Sequence, residues 1–205
     1  ALINDFAAAA HGLPLVDDKD ILTLHAGQPE PQAPRVILGA GTGLGVAGLI
    51  WQNGHYQVIP GEGGHFGFSP QTAEQGELWQ SLLTKSGRVT VEDIVSGPGL
   101  SRIFAHFSGR PWEPEEIGQA ALAGTDPHAR AALRLWLECY GAFAGHPAMH
   151  WLARGGVYLA GGMAAKLLPH IDAAPFIDAF LAKREHSDLV RRMPVRLLTV
   201  EDLGL

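Results

Sequence analysis

The segment 36–51 constrains the fold more than any other part of the sequence. Seven residues, GAGTGLG at positions 39–45, separate the apolar run Val36-Ile37-Leu38 from a second one, Val46-Ala47-Gly48-Leu49-Ile50-Trp51. Glycines at this spacing also occur in paired membrane helices, but here they and nearby polar residues interrupt the apolar core too often for a spanning helix. Read with a period of two, the segment predicts two β-strands joined by a tight glycine turn.

Composition narrows the class of protein. A chain of 205 residues, 46% of them hydrophobic, is long enough to bury a sizeable core as one domain. The formal charge of -6 argues against a broad basic surface, so we expect no nucleic-acid partner. Cys139 is the only cysteine, which excludes an intramolecular disulfide and a four-cysteine zinc site. With no visible secretory signal or membrane partner, the protein is expected to be cytoplasmic.

The remaining sequence extends the hairpin into an α/β pattern. A third strand is predicted at 56–59, a buried strand at 157–160 and a last strand at 195–200, with a helical segment after Gly161-Gly162. Between the third and fourth strands, one helix is predicted from Ser69-Pro70, with Ser69 as N-cap, to about Lys85. A short helix is predicted to begin at Thr90 and to be broken by Gly97-Pro98-Gly99.

A long helix is predicted after these two. It begins at Thr125-Asp126-Pro127 and extends toward Arg154, where Gly155-Gly156 ends it. Pro147 is expected to kink or break this helix, because proline removes one backbone hydrogen bond and clashes with the preceding turn.

The order of elements predicts a fold class. Three strands, helices, a strand, a helix and a strand make an α/β, ribonuclease H-like domain, as in actin-like ATPases and sugar kinases, with a mixed five-stranded sheet and flanking helices. The segment 28–34 contains three prolines and reads as a connector. We therefore expect an arm at 1–34 and the main domain at 35–205.

Acidic residues in three places are candidates for a catalytic or binding role, and each of them also has a purely structural explanation. Asp5 precedes Phe6 and a run of alanines, so it is either a helix N-cap or a carboxylate kept ionised by the helix N-terminus. Glu62 and His65 lie in the run GEGGH, which is either a plain surface loop or a tight fold that aims two polar side chains at one point. Two such side chains do not by themselves make a metal site. Glu92 stands second in its predicted helix, where an acid is common for dipole reasons.

Two glycine turns are similarly open to two interpretations. Gly41-Thr42-Gly43 is either a plain hairpin turn or a nest of backbone N–H groups that binds an anion, to which Thr42 adds a hydroxyl donor. Gly161-Gly162 is either a close contact of backbone against a helix or a ligand-binding turn. No Lys follows the first glycines as in the single-loop nucleotide motif, so that turn is expected to act as one half of a two-loop clamp.

Five motifs, LINDFAA, GAGTGLGVA, PGEGGHFGFSP, SGPGLSRI and GGVYLAGGM, resemble those of the bacterial glucokinase family, the hexokinase-like, ATP-dependent type, and cover nearly the whole chain. The resemblance implies transfer of the ATP γ-phosphoryl group to the 6-hydroxyl of glucose, with Mg²⁺ bridging the phosphates. It implies that Asp5 is the catalytic base, and that glucose is held by Asn4, Asp5, Glu62, His65 and Glu92. It also places Gly41, Thr42 and Gly43 at the nucleotide phosphates and Gly161 and Gly162 near the adenosine. A homodimer is the family expectation.

The same resemblance shapes what we expect of this chain alone. The family's second phosphate loop, of Asp-x-Gly-Gly-Thr type, is absent from the sequence, and the family continues past residue 205 into a further helix. We therefore expect the large C-terminal domain, with the small N-terminal domain missing and the C-terminal helix truncated, and weak or no turnover. A non-catalytic sugar-binding regulatory domain and a kinase for another hexose stay open as alternatives.

Overall fold

The computed structural model describes residues 5–200, and Asp5 by its backbone alone. Six strands form one sheet in the order β1-β6-β5-β2-β3-β4. The strands are β1 (Ile21–His25), β2 (Arg35–Ala40), β3 (Leu44–Gln52), β4 (His55–Gly61), β5 (Gly156–Ala160) and β6 (Val195–Leu198). The helices are α1 (Asp5–Gly12), α2 (Ala73–Ser86), α3 (Gly97–Ser108), α4 (Pro114–Ala123), α5 (Pro127–Trp151), α6 (Gly162–Leu167), α7 (Ala174–Leu181) and α8 (Ser187–Arg191).

The sheet is mixed, as predicted, but it has six strands rather than five. Strands β2, β3 and β4 form an antiparallel meander, and β5 runs parallel to both β2 and β6. The strand missed in the sequence is β1, which pairs antiparallel with β6 at the edge of the sheet. Leu22 and Thr23 in this strand are exposed, so it lacks the alternation of buried and exposed residues by which a strand is recognised.

The segment 1–34 contributes to the same sheet and core. Its strand β1 completes one edge, and its helix α1 packs against β3 and β4. Residues 28–34 contain neither helix nor strand, as expected of a connector. The division into an arm and a domain at residue 34 stays a prediction.

The predicted start of the first long helix was wrong. Helix α2 begins at Ala73 rather than at Ser69-Pro70, because the hydroxyl of Thr72 accepts the Gln75 N–H at 3.2 Å and acts as the N-cap. Its end agrees with the prediction, since Gly87 terminates the helix in the left-handed conformation.

The short helix predicted at Thr90 is a single turn. The reciprocal bonds of a helix start are present, because Asp93 accepts the Thr90 N–H at 2.9 Å and Thr90 Oγ1 accepts the Asp93 N–H at 3.3 Å. Helix α3 nevertheless begins at Gly97, where the sequence predicted a break. Ser96 provides the N-cap by accepting the Gly99 N–H at 3.0 Å, and proline is tolerated in the first turn of a helix.

Helix α5 begins where the sequence predicted, with Asp126 as N-cap. It is not broken at Pro147 but continues to Trp151, and it ends at Leu152 in the left-handed conformation, before the predicted end. Proline removes one hydrogen bond near the end of a long helix whose neighbouring turns are buried, which explains why the helix tolerates it.

Alternate residues of the central strands enter two cores. On one face, Val36 and Leu159 pack with buried residues of the long helices, including Trp136 and Tyr140 of α5. On the other face, Ile37 and its neighbours are covered by α1. Trp136 also donates its indole N–H to the Ser96 carbonyl at 3.1 Å. The core therefore fixes the N-terminus of α3, which lies at the end of the sheet where the predicted site residues meet.

Candidate active site

The glycines of the GAGTGLG run have two separate structural roles. Gly39 and Gly45 face each other across the β2–β3 hairpin. A Cβ atom at either position would overlap the ring of Phe6 in the first turn of α1. This pair of glycines therefore allows the N-terminus of α1, which begins at Asp5, to lie against the end of the hairpin.

The other glycines form the hairpin turn, Gly41-Thr42-Gly43, called the phosphate loop below. The Gly41 N–H donates to the Gly43 carbonyl at 2.9 Å, and the Gly41 carbonyl accepts the Gly97 N–H at 2.7 Å. The loop thus lies at the N-terminus of α3, a helix of 12 residues, while Thr42 is exposed. A helix N-terminus carries partial positive charge, so an anion at this loop is stabilised.

Residues Gly61-Glu62-Gly63-Gly64-His65, called the sugar loop, pack closely on the start of β3. Gly63 lies against Val46, and a Cβ at Gly64 would overlap the carbonyl of Leu44. The backbone can therefore approach β3 only because these positions are glycines. This close approach holds Glu62 beside the phosphate loop.

Three backbone hydrogen bonds join the sugar loop and its continuation to the segment that contains Glu92. Phe68 N–H donates to the Val89 carbonyl at 3.0 Å, Val91 N–H to the Phe66 carbonyl at 2.9 Å, and Glu92 N–H to the Gly64 carbonyl at 2.9 Å. Residues far apart in the sequence are thereby held as one unit. The structure thus brings Glu92 next to the loop that carries Glu62 and His65.

The carboxylate of Glu92 is itself held in place. Its Oε2 accepts the Leu44 N–H at 2.8 Å, at the first residue after the phosphate loop. The following residue, Asp93, caps the turn as described above, and its carbonyl accepts a hydrogen bond from Arg102 at 2.8 Å. Glu92 therefore connects the predicted sugar site directly to the predicted phosphate site.

These elements enclose an open cleft of about 600 Å³, whose lining residues include most of the predicted site. Gly161 lines the cleft with its backbone. Its φ of +89° and its close contact with the Ala40 backbone leave no room for a side chain at this position. Gly162 begins α6 and does not line the cleft. The residues that line the cleft are Phe6, Gly39, Gly41, Thr42, Gly43, Leu44, Gly45, Glu62, Glu92 and Gly161.

Besides Gly162, three predicted residues are not placed in the cleft. His65 is exposed and does not line it, although Arg88 donates to the His65 carbonyl at 3.0 Å and so supports the sugar loop. Asn4 lies outside the described residues, and the Asp5 side chain is not described. The backbone of Asp5 does place it next to Phe6, which lines the cleft.

Sequence reasoning missed three contributors to the site: Phe6, Leu44 and Arg88. The facing glycines at positions 39 and 45 are a signal that a large side chain packs across the hairpin, but they do not identify it. Leu44 contributes a backbone N–H, and Arg88 contacts a backbone carbonyl, so neither contact depends on a local sequence pattern.

Two kinds of feature are absent from the described part of the chain. Among residues 5–200, no group of three or more His, Cys, Asp or Glu side chains is arranged to hold a metal ion. Within the same residues, no helix has the length and apolar character needed to cross a membrane.

Comparisons with known proteins identify the family of this chain. The family model described as Glucokinase matches residues 1–205. A glucokinase from Mesorhizobium japonicum is 41% identical over 204 residues, which cover 97% of this chain and 60% of the relative. The crystal structure of a glucokinase from an Antarctic psychrotroph is 27% identical, with a TM-score of 0.91 over 99% of this chain and 65% of that one.

A more distant structure shares the fold. The glucokinase from Balamuthia mandrillaris, solved in complex with glucose, is 21% identical with a TM-score of 0.84, over 98% of this chain and 62% of that one. These similarities confirm the predicted ribonuclease H-like, sugar-kinase fold. This chain spans less than two thirds of the length of each of the three proteins. With the family model matched along all 205 residues, the chain belongs to the glucokinase family.

Proposed function

We propose that the protein to which this sequence belongs transfers the γ-phosphoryl group of ATP to the 6-hydroxyl of D-glucose. The observation that supports it most strongly is one cleft lined by Glu62, Glu92 and the phosphate loop, with Phe6, the residue after Asp5, at its edge. Phosphorylation of a sugar needs a carboxylate that accepts the hydroxyl proton, groups that hold the other hydroxyls, and donors that face the phosphates. The cleft brings Glu62 and Glu92 together with the phosphate loop, and we assign the role of base to Asp5.

In this proposal the sugar is held by hydrogen bonds to hydroxyl groups. Glu62 and Glu92, which line the same cleft, accept hydrogen bonds from sugar hydroxyls, and Asn4 and His65 complete the set. Asp5 accepts the proton of the 6-hydroxyl as that oxygen attacks the γ-phosphorus. The N-terminus of α1 favours the ionised carboxylate that this role requires.

The nucleotide is proposed to bind at the other end of the cleft. The phosphate loop and the N-terminus of α3 face the phosphates, while Gly161 and Gly162 lie near the adenosine. Mg²⁺ fits this arrangement although the described residues hold no three-ligand cluster, because it usually keeps several waters and binds through one or two carboxylates plus substrate phosphates. When bound, it would neutralise phosphate charge, and Glu62, Glu92 and Asp5 are the carboxylates that could hold it, directly or through water.

The isolated 205-residue chain is expected to bind glucose but to turn over weakly or not at all. In a kinase that closes on its substrates, each domain supplies part of the site and excludes water. Calorimetry with D-glucose tests the expected binding, and a coupled assay for glucose 6-phosphate tests the expected lack of turnover. Steady, ATP-dependent product formation by the chain alone would contradict the second expectation.

A chimera tests the proposed activity itself. It joins this chain to the part of the Mesorhizobium japonicum glucokinase that the chain does not match, and it is expected to form glucose 6-phosphate. A chimera that binds glucose but forms no product would favour the alternative of a sugar-binding regulatory domain. Titration of the chimera with glucose, mannose and fructose separates glucokinase from a kinase for another hexose.

The homodimer and the cytoplasmic location stay predictions.

Replacement of Gly43 by Ala is expected to weaken glucose binding about tenfold, the effect of losing a hydrogen bond to a charged group. A Cβ at this position would lie 2.7 Å from Glu92 Oε2, so the carboxylate must leave the Leu44 N–H. The side chain of Glu92 can move, and the fold is therefore expected to survive. Calorimetry with glucose measures the effect.

Gly41→Ala is the matched control for this substitution. A Cβ at Gly41 meets no atom within 4 Å, so its glucose affinity is expected to equal that of the unmodified chain. Equal glucose affinities for the Gly43 and Gly41 variants would show that the Glu92 position does not matter for sugar binding.

A further inference from the structure

A second cavity lies behind the sugar loop. It has a volume of about 400 Å³ and separates the β3–β4 hairpin from the C-terminal half of α5. Its walls include four aromatic rings, those of Phe66, Phe68, Phe143 and Trp151. Ligand cavities of proteins span roughly 300–1,000 Å³ and are lined mainly by apolar and aromatic groups with a few polar ones. The size and the lining of this cavity therefore suit a small molecule.

The charge of the walls narrows the class of ligand. No Lys or Arg lines the cavity, and Glu62 is its one carboxylate among the described residues. Burial, and to a lesser extent the charge of Lys183, lowers the pKa of His146 on the wall. Burial also raises the pKa of the Cys139 thiol, so that this group stays neutral. An anion would meet no Lys or Arg on these walls, and the apolar rings favour an uncharged ligand.

The wall formed by α5 contains one carbonyl group without its usual helical N–H partner. Pro147 lacks the N–H that would normally bond the carbonyl of Phe143 one turn earlier in the helix, and both residues line the cavity. The carbonyl of Phe143 therefore lacks its usual helical partner. A ligand hydroxyl is the natural complement to such a group. On the facing strand, Gly48 leaves room for the ring of Trp151. A Cβ at position 48 would lie 3.0 Å from the nearest atom of that ring.

The cavity and the active-site cleft share one side chain, that of Glu62, and Gly61 and Gly63 also line the cavity. We propose that the cavity binds a small, uncharged aromatic molecule with one hydroxyl group, and that its occupancy changes the affinity for glucose through the segment Gly61-Glu62-Gly63. The coupling rests on the glucose site proposed above, whereas the binding does not. Phe66 stands at the rim with 68% of its surface exposed and closes over the bound ring.

The test uses 1-naphthol as the probe and the 205-residue chain as the protein. Calorimetry is expected to show saturable binding at one site. Phe66→Ala is expected to weaken binding about tenfold, because a buried aromatic contact is lost. Ala142→Phe, which places a ring in the cavity from its α5 wall, is expected to abolish binding. Phe66 is exposed, so its replacement leaves the fold intact even if the Ala142 variant is unstable.

Leu122→Ala is the matched control, since Leu122 is also an exposed apolar side chain but lies on α4, away from the cavity. It is expected to bind 1-naphthol like the unmodified chain. Absence of saturable binding, or equal binding by the Phe66 and Leu122 variants, would overturn the proposal. Sedimentation measures whether the chain forms a dimer. A dimer that is dissociated by Phe66→Ala but not by Leu122→Ala would also overturn the proposal, because a second copy of the chain would then cover the cavity.

Coupling is measured by titrating glucose with and without saturating 1-naphthol. We expect at least a threefold change in glucose affinity and the same factor for 1-naphthol affinity in saturating glucose, as linkage requires. Unchanged glucose affinity would refute the coupling. A chain that binds 1-naphthol but no glucose at all would count against the proposed glucose site and not against the cavity.

Discussion

Replacement of Asp5 by Asn is expected to lower kcat for glucose phosphorylation by about 10²- to 10⁴-fold, the usual contribution of a general base. The measurement is the coupled assay for glucose 6-phosphate with the chimera described above. Glucose affinity is expected to change by less than about threefold, because the amide keeps the size of the carboxylate and still hydrogen-bonds a hydroxyl. A fall in kcat without a matching change in affinity is the signature of a group that acts on the proton.

The position of α1 is the structural reason for this expectation. The ring of Phe6 packs on the facing glycines of the hairpin, Gly39 and Gly45, so the first turn of the helix lies at the cleft. A side chain at either glycine would push that turn away. The backbone at the proposed base, Asp5, is thus held by a contact of the neighbouring residue, Phe6.

Asp18→Asn provides the control for the Asp5 substitution. Asp18 is an exposed acid in the same N-terminal segment, and its replacement removes the same charge far from the cleft. Its kcat is expected to match that of the unmodified chimera. If the Asp5 variant also kept near-normal kcat, another group would have to accept the proton.

The parts of the fold that local patterns determine could be predicted from the sequence. The hairpin of β2 and β3 follows from apolar runs around glycines, and Asp126 marks the start of α5 because an N-cap needs only residues next to it. Strand β1 escaped prediction because its stability comes from pairing with β6, near the other end of the chain. Thr90 begins only a single turn, and the helix that follows begins at Gly97 with Ser96 as its N-cap.

The site shows the same limit. Single residues such as Glu62 and Glu92 could be named from their motifs, but their connection could not, because it depends on bonds between distant segments. Glu92 N–H meets the Gly64 carbonyl, and the Glu92 carboxylate meets the Leu44 N–H. No periodicity or spacing in the sequence indicates such pairs, since each involves a backbone N–H, which every residue except proline has.

Replacement of Gly161 by Ala is expected to lower the free energy of unfolding by about 3 kcal/mol, from backbone strain together with overpacking. Its φ of +89° and ψ of 147° lie in a region that only glycine adopts freely. A Cβ would also stand 2.5 Å from the Ala40 carbonyl oxygen, and this oxygen belongs to the inner strand β2, which can move aside only by disturbing its pairing with both neighbouring strands. Urea denaturation of the 205-residue chain measures the effect.

Gly162→Ala separates these causes from the general effect of adding a methyl group. A Cβ at Gly162 meets no atom within 4 Å, and the residue begins α6, so this variant is expected to be as stable as the unmodified chain or up to about 1 kcal/mol more stable. Ala40 directly precedes the phosphate loop, so strain at position 161 also displaces that loop. The Gly161 variant is therefore expected to lose nucleotide affinity while still folded, and equal stabilities of the two variants would refute the argument.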